Sequence, residues 1–166
     1  MKTRKAEKQD IVLIQEIAKR SWEDTYKDLV PADIRQVYIE QAYSRQSLSV
    51  KINSSAAFFV AEEAGKVIGF AQLTRSENET DLAALYVDPK KLGCGAGTLL
   101  FETVVHELKQ GEPLVVYLEK GNFRAERFYT KCGFAYKNEF KERLFGHVFH
   151  TVKMVFKQDG EGNTYV

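Results

Sequence analysis

The chain has 166 residues, 44% of them hydrophobic and 28% charged, with 24 basic against 23 acidic side chains and a formal charge of +1. That length suits one domain with a sizeable core. The balanced charge argues against nonspecific nucleic-acid binding, and no apolar run reaches the roughly 18 residues of a membrane helix.

The N-terminal "MKTRKAEKQD" lacks an apolar signal region. With only two cysteines, Cys94 and Cys132, the chain reads as reduced and cytoplasmic. After a short strand, Asp10 is placed to cap a helix whose apolar stripe is Ile11, Ile14, Ile17, Ala18 and Trp22. Glu23, Asp24 and Asp28 cluster around its end, where they would attract a cationic ligand or remain solvated. Trp22 and Tyr26, four apart, share one helical face. "LVPADIRQVYIEQAY" restarts a helix with Pro31 in its first turn, and Ser44 caps a third helix running to about Asn53.

The period then changes to two. "AFFVAEEAGKVIGFAQLTR" is a hairpin turning at Gly65, and "DLAALYV" is a strand stopped by Asp88-Pro89. In that strand Asp81 is expected to share a face with Ala83, Leu85 and Val87. A glycine-studded loop leads into a helix reaching about Lys109, followed by the buried strand "LVVYL". "NFRAERFYTKC" is a helix with Asn122 as its N-cap and Gly133 as its C-cap. "FAYKNEF" and "HVFHTVKMVF" close the chain as strands, so residues 1–157 form one domain and 158–166 a frayed tail. Hairpins followed by strand–helix–strand predict a mixed α/β (α+β) fold. His106, His147 and His150 are scattered, and no metal is expected.

The stretch "YVDPKKLGCGAGTLLFETV" packs Gly93, Gly95 and Gly97 where strand becomes helix. A helix N-terminus presents unpaired N–H groups and partial positive charge, and glycine lets the backbone approach an anion closely. The loop reads as a pyrophosphate cradle, with Lys90 and Lys91 adding charge. No lysine follows Gly97 as in a nucleotide-triphosphate loop, and the glycine spacing is not that of a dinucleotide fingerprint.

Together with "VVYLEKGNFRAERFYTKCGF" downstream, this stretch resembles the paired signatures of the GNAT superfamily of N-acetyltransferases. Asn122, Ala125, Phe128, Tyr129, Gly133 and Phe134 stand at matching positions. "WEDTYKDLVP" is similar to the acceptor-side region of a branch that includes polyamine acetyltransferases. One departure is Leu92, where the family carries Gln or Arg. The resemblance implies a twisted, mainly antiparallel sheet flanked by helices. It implies acetyl transfer from acetyl-CoA to a primary amine, a small molecule or polyamine, by direct attack in a ternary complex.

On that reading Leu85, Tyr86 and Val87 pair with the pantetheine arm, and a backbone N–H near Val87 stabilises the oxyanion. Leu92, Gly93, Cys94, Gly95, Ala96, Gly97 and Thr98 hold the pyrophosphate, Asn122 holds the pantetheine side, and Lys131 meets cofactor phosphate. Arg124 is expected to be solvated. Tyr129 is the general acid, Asp81 or Glu119 (or a water chain) the base, and Trp22 and Tyr26 line the acceptor side. Cys94 is a packing residue, since direct attack needs no thiol nucleophile. Two alternatives are a protein N-terminal or lysine acetyltransferase and a CoA-binding sensor without turnover. The expected partners are acetyl-CoA and an amine, with a homodimer left open and neither nucleic acid nor membrane involved.

Overall fold

The computed structural model describes residues 1–158; the expected tail lies outside the described residues from 159 onward. β1 (Lys2–Lys5) is followed by α1 (Ile11–Tyr26), α2 (Ala32–Ala42) and α3 (Arg45–Ser54). Then come β2 (Ala57–Glu63), β3 (Lys66–Arg75), β4 (Thr80–Val87), α4 (Ala96–His106), β5 (Leu114–Glu119), α5 (Phe123–Cys132), β6 (Ala135–Leu144) and β7 (His147–Phe156). The strands form one seven-stranded sheet in the order β1-β2-β3-β4-β5-β7-β6.

Every neighbouring pair is antiparallel except β4 and β5, which are parallel and register only at Thr80–Leu114 and Asp81–Val115. Beyond those two rungs they part, leaving a wedge-shaped gap in the middle of the sheet. Each face of the sheet buries its own core. α4, which contributes Leu100, and α5 cover the face carrying Leu73, Leu82, Leu114, Val116 and Phe156. α1 and α3, through Ile14 and Leu48, cover the face carrying Phe58, Val60, Phe70 and Ala84.

Local signals explain most of the boundaries. Ser44 accepts from the Ser47 N–H at 3.1 Å and caps α3, and Asn122 accepts from the Ala125 N–H at 3.2 Å and caps α5. Gly133 ends α5 at φ +105°, a left-handed conformation that suits glycine. Asp10 departs from expectation because stronger donors claim its carboxylate. Arg4 donates to both of its oxygens at 2.8 Å and the Glu7 N–H donates at 2.7 Å, so Asp10 ties β1 to α1 instead of capping the helix. The Arg4 guanidinium holds the Asp10 carboxyl below its usual range.

A second departure bears on the site. The β3–β4 register slips between Gln72 and Leu73, which pair with Ala84 and Leu82, so Ala83 is a bulge residue. One extra residue inverts a period of two. Asp81, opposite Thr74, therefore shares its face with Ala84 and Tyr86 rather than with Leu85 and Val87.

Candidate active site

The cleft in the wedge has a volume of about 280 Å³ and is lined by parts of β4, the glycine loop, β5, α5 and the end of α1. On the β4 side the backbone is the functional surface. The Asp88 N–H donates to the Ile68 carbonyl at 2.8 Å, which fixes the alternation of the ladder. Tyr86 therefore spends its backbone groups on β3, while those of Leu85 and Val87 turn into the gap. With β5 splayed away, that edge is free to pair with an extended ligand as a strand would. The Val87 carbonyl also accepts a 3.3 Å bond from the Ser21 hydroxyl, which anchors α1 over the end of β4.

Gly93 and Gly95 adopt φ of +83° and +91°, and a Cβ on either would meet nothing within 4 Å. The backbone turn, not crowding, is what calls for glycine there. Gly95 is the N-cap of α4, so the first-turn N–H groups of Ala96, Gly97 and Thr98 have no acceptor within the helix and face the cleft. Gly97 packs against α5, and a Cβ there would meet the Phe128 ring at 3.4 Å, an ordinary contact. Leu92 is 46% exposed and lines the same cleft. Cys94 is exposed and lies outside the lining. Loop, helix start and unpaired strand edge together fit a nucleotide diphosphate with a long extended arm.

On α5, Asn122, Arg124, Ala125, Phe128 and Tyr129 line the cleft, whereas Lys131 is exposed outside it. Tyr129 is buried between Phe128 and Phe134, at ring-centroid distances of 5.2 and 5.1 Å. Burial pushes its phenol well above the ordinary value, and the charges of Tyr26, Cys132 and Asp81 raise it further. The proton is thus held firmly at neutral pH. Arg124 is not simply solvated. It donates to Asp24 at 2.7 Å and to the Thr25 hydroxyl at 3.2 Å, joining the start of α5 to the end of α1 across the cleft. Nothing in the local sequence around either residue indicates this pair, which is 100 residues apart.

Of the other acids near the end of α1, Glu23 pairs with Arg35 at 3.3 Å. Trp22 is core: it stacks on Tyr38 at 4.1 Å and is absent from the cleft lining. Tyr26 does line the cleft, with its phenol pushed up to about 12 by burial.

Neither candidate base is among the residues lining the cleft; they flank the wedge at its opposite ends. Glu119 ends β5 at the open end; its Oε1 accepts the His150 N–H at 3.1 Å, and burial raises its carboxyl. Asp81 stands at the apex, where β4 and β5 part. Its Oδ1 is buried without a hydrogen-bond partner among the described residues, and burial pushes its carboxyl up to about 6. Tyr117 of β5 also lines the cleft and donates to Glu79. It is a site residue that sequence reading passed over, because "LVVYL" reads as a uniformly buried strand. No group of His, Cys, Asp and Glu among the described residues is arranged to hold a metal ion. No helix among them is long and apolar enough to cross a membrane.

Residues 54–136, from the end of α3 to the start of β6, match the acetyltransferase (GNAT) domain family. The chain belongs to the GNAT family. This GNAT protein is 30% identical over 141 residues to the spermidine N(1)-acetyltransferase of Thermoplasma acidophilum, a match covering 79% of this chain and 86% of that protein. It is 33% identical over 94 residues to an uncharacterized N-acetyltransferase of Mycobacterium tuberculosis, covering 55% of this chain and 60% of that one. Its fold superposes on the paiA N-acetyltransferase of T. acidophilum in complex with coenzyme A with a TM-score of 0.77 at 27% identity, over 95% of this chain and 98% of that one. A GCN5-related N-acetyltransferase from Rhodopseudomonas palustris shares the fold with a TM-score of 0.77 at 18% identity, over 94% of each chain. This GNAT protein is an acetyl-CoA-dependent N-acetyltransferase, and the wedge between β4 and β5 fits acetyl-CoA.

Proposed function

We propose that the acceptor is a small primary amine of the polyamine class, that it attacks directly in a ternary complex, and that Asp81 and Tyr129 handle the protons. The observation that carries this reading is the unpartnered Asp81 carboxyl at the apex of the wedge. A buried acid oxygen without a partner is costly to keep, so such a group next to the cleft, though not among its lining residues, is a candidate for function. The Asp81 charge is the smallest of the causes that raise the Tyr129 phenol, which is consistent with the two groups serving one reaction.

Acetyl-CoA supplies the activated acyl group. The turned-in backbone of Leu85 and Val87 and the first turn of α4 orient it, with a backbone N–H of β4 near Val87 facing the developing oxyanion. Asn122 borders the pantetheine side of the cleft. Asp81 stands six residues from Val87, roughly 20 Å of extended strand, so it accepts the proton of the incoming ammonium through intervening water. Tyr129 donates a hydrogen bond, then a proton, to the departing sulfur. Glu119 and the phenol of Tyr26 lie at the opposite end, where a distal ammonium of a polyamine would find a carboxylate. The T. acidophilum relative named for spermidine supports the same substrate class.

The test is release of free CoA thiol with a panel of acceptors: spermidine, spermine, putrescine, a monoamine, a peptide with a free N-terminus and a lysine peptide. Polyamines should exceed the peptides in kcat/KM by at least tenfold. Preference for a peptide would reassign the acceptor. Tight CoA binding without thiol release from any amine would make this a binding domain without turnover.

A further inference from the structure

The face of the sheet that bears Asp81 carries three more polar groups at the apex, and their arrangement is selective. In the ladder Asp81 stands beside Val115; Tyr117 lies two residues further along β5 on the same face, opposite Lys153 of β7. Lys153 is therefore the cation that β7 presents on this face beside the apex. Yet its ammonium pairs with Glu79 Oε2 at 2.9 Å, while the Tyr117 hydroxyl donates to Glu79 Oε1. Glu79 lies just ahead of β4, and its two oxygens take both donors. The Asp81 Oδ1 takes none. The other charges bearing on the apex are few. From β3 the facing side chain is the neutral Thr74, Arg75 is turned to Glu112, and from α5 the group is the Tyr129 phenol.

We infer that Glu79 is a positioning residue: by holding Lys153 and Tyr117 it keeps the cation off Asp81 and leaves that carboxyl unpaired at the apex. This rests on the reading of Asp81 as the base. A carboxylate closely paired with an ammonium is stabilised in its charged form and becomes a weaker base, commonly by one to three pH units. With Glu79 present, the nearest lysine is engaged elsewhere and the nearby negative charge opposes ionisation of Asp81. Burial is the larger cause of the raised carboxyl and the Glu79 charge adds to it, while Lys153, even held by Glu79, pulls it the other way.

Two substitutions should move Asp81 in opposite directions. Glu79→Gln removes the competing charge and frees Lys153, so the midpoint of Asp81 should fall by about one unit or more. Lys153→Met leaves Glu79 charged and removes the attraction, so the midpoint should rise, by about half a unit. The midpoint is read directly by carboxyl-carbon NMR titration and, in turnover, from the acid limb of the kcat/KM profile. Shifts in opposite directions support the inference. Midpoints that stay within about 0.3 unit in both variants, or that move the same way, overturn it. A pair that only braced the sheet would lower the melting temperature and leave the titration in place. If Asp81→Asn proves fully active, the base assignment fails, while the NMR titration still decides what Glu79 does to Asp81.

Discussion

Removing one oxygen from Tyr129 separates its chemical role from its packing role. The ring lies within contact range of Phe128 and Phe134, and Tyr129→Phe keeps those neighbours. Tyr129 is buried yet lines the cleft, so loss of its hydroxyl should cost about 1 kcal/mol or less, a melting shift of about 4 °C at most. Turnover should respond differently. A positioned acid contributes about 10²-fold or more, which corresponds to roughly 2.7 kcal/mol of the barrier. Affinity for acetyl-CoA should change little, because the hydroxyl helps mainly as charge develops on sulfur. Burial holds the phenol proton above its ordinary range, so the parent should show no descending limb from this group below about pH 10. Single-turnover transfer to a competent amine, alongside a CoA titration, separates these quantities. Full activity in a folded variant would refute the acid role and assign protonation of the sulfur to water. Equal losses in binding and rate would make the hydroxyl a cofactor-positioning group.

The parts of the site legible in the sequence are those built by local backbone rules. Gly93 and Gly95 mark a loop that needs positive φ, and Asn122 and Gly133 mark the two ends of α5. Each rests on a few consecutive residues, so spacing alone carries them. What the sequence hides is long-range or hinges on a single inserted residue. Alternation assumes an unbroken ladder and so puts Asp81 on the wrong face. The bulge at Ala83 leaves no mark in "DLAALYV", since alanine tolerates either strand geometry. The Arg124–Asp24 pair joins residues from different helices on opposite faces of the sheet, and charge alone does not select it among 24 basic and 23 acidic side chains. Lys131 and Trp22 neighbour motif residues in the sequence, yet helical rotation turns one to solvent and the other into the core. The gap between β4 and β5 is also a product of topology, since it follows from a parallel pair that keeps only two rungs.

Gly95→Glu places a side chain and a negative charge at φ +91° in the cradle, and should weaken acetyl-CoA binding more than tenfold, above about 1.4 kcal/mol; undiminished affinity by calorimetry would sink the cradle. Chelator treatment and Cys94→Ala should each leave turnover within a few-fold of the parent, because the thiol is exposed outside the cleft; a hundredfold loss would contradict direct attack. Arg124→Ala breaks an exposed pair worth under about 1 kcal/mol, yet it opens the contact that spans the cleft. CoA release by stopped flow should therefore quicken threefold or more, and an unchanged rate would deny the pair any hold on the cofactor. The last expectation concerns the acid stability of the closed end of the wedge. Glu112 accepts from Arg75 at 2.7 and 3.1 Å, from the Thr80 hydroxyl at 2.5 Å and from the Lys109 N–H at 2.8 Å, tying β3, β4 and the approach to β5 together. The Arg75 hydrogen bonds are the main reason its carboxyl is lowered to about 2. A folded-state value below the unfolded one gives stability that is present above about pH 4.5 and lost as pH falls toward 2. With the side chain only 15% exposed, the full effect should be on the order of 2 kcal/mol. Glu112→Gln keeps the shape and removes the charge, so urea unfolding should show a deficit at pH 7 that shrinks through pH 4 to 3. A deficit as large at pH 3 as at pH 7 would mean that Glu112 acts through shape alone, and that the ionic tie at the closed end contributes nothing.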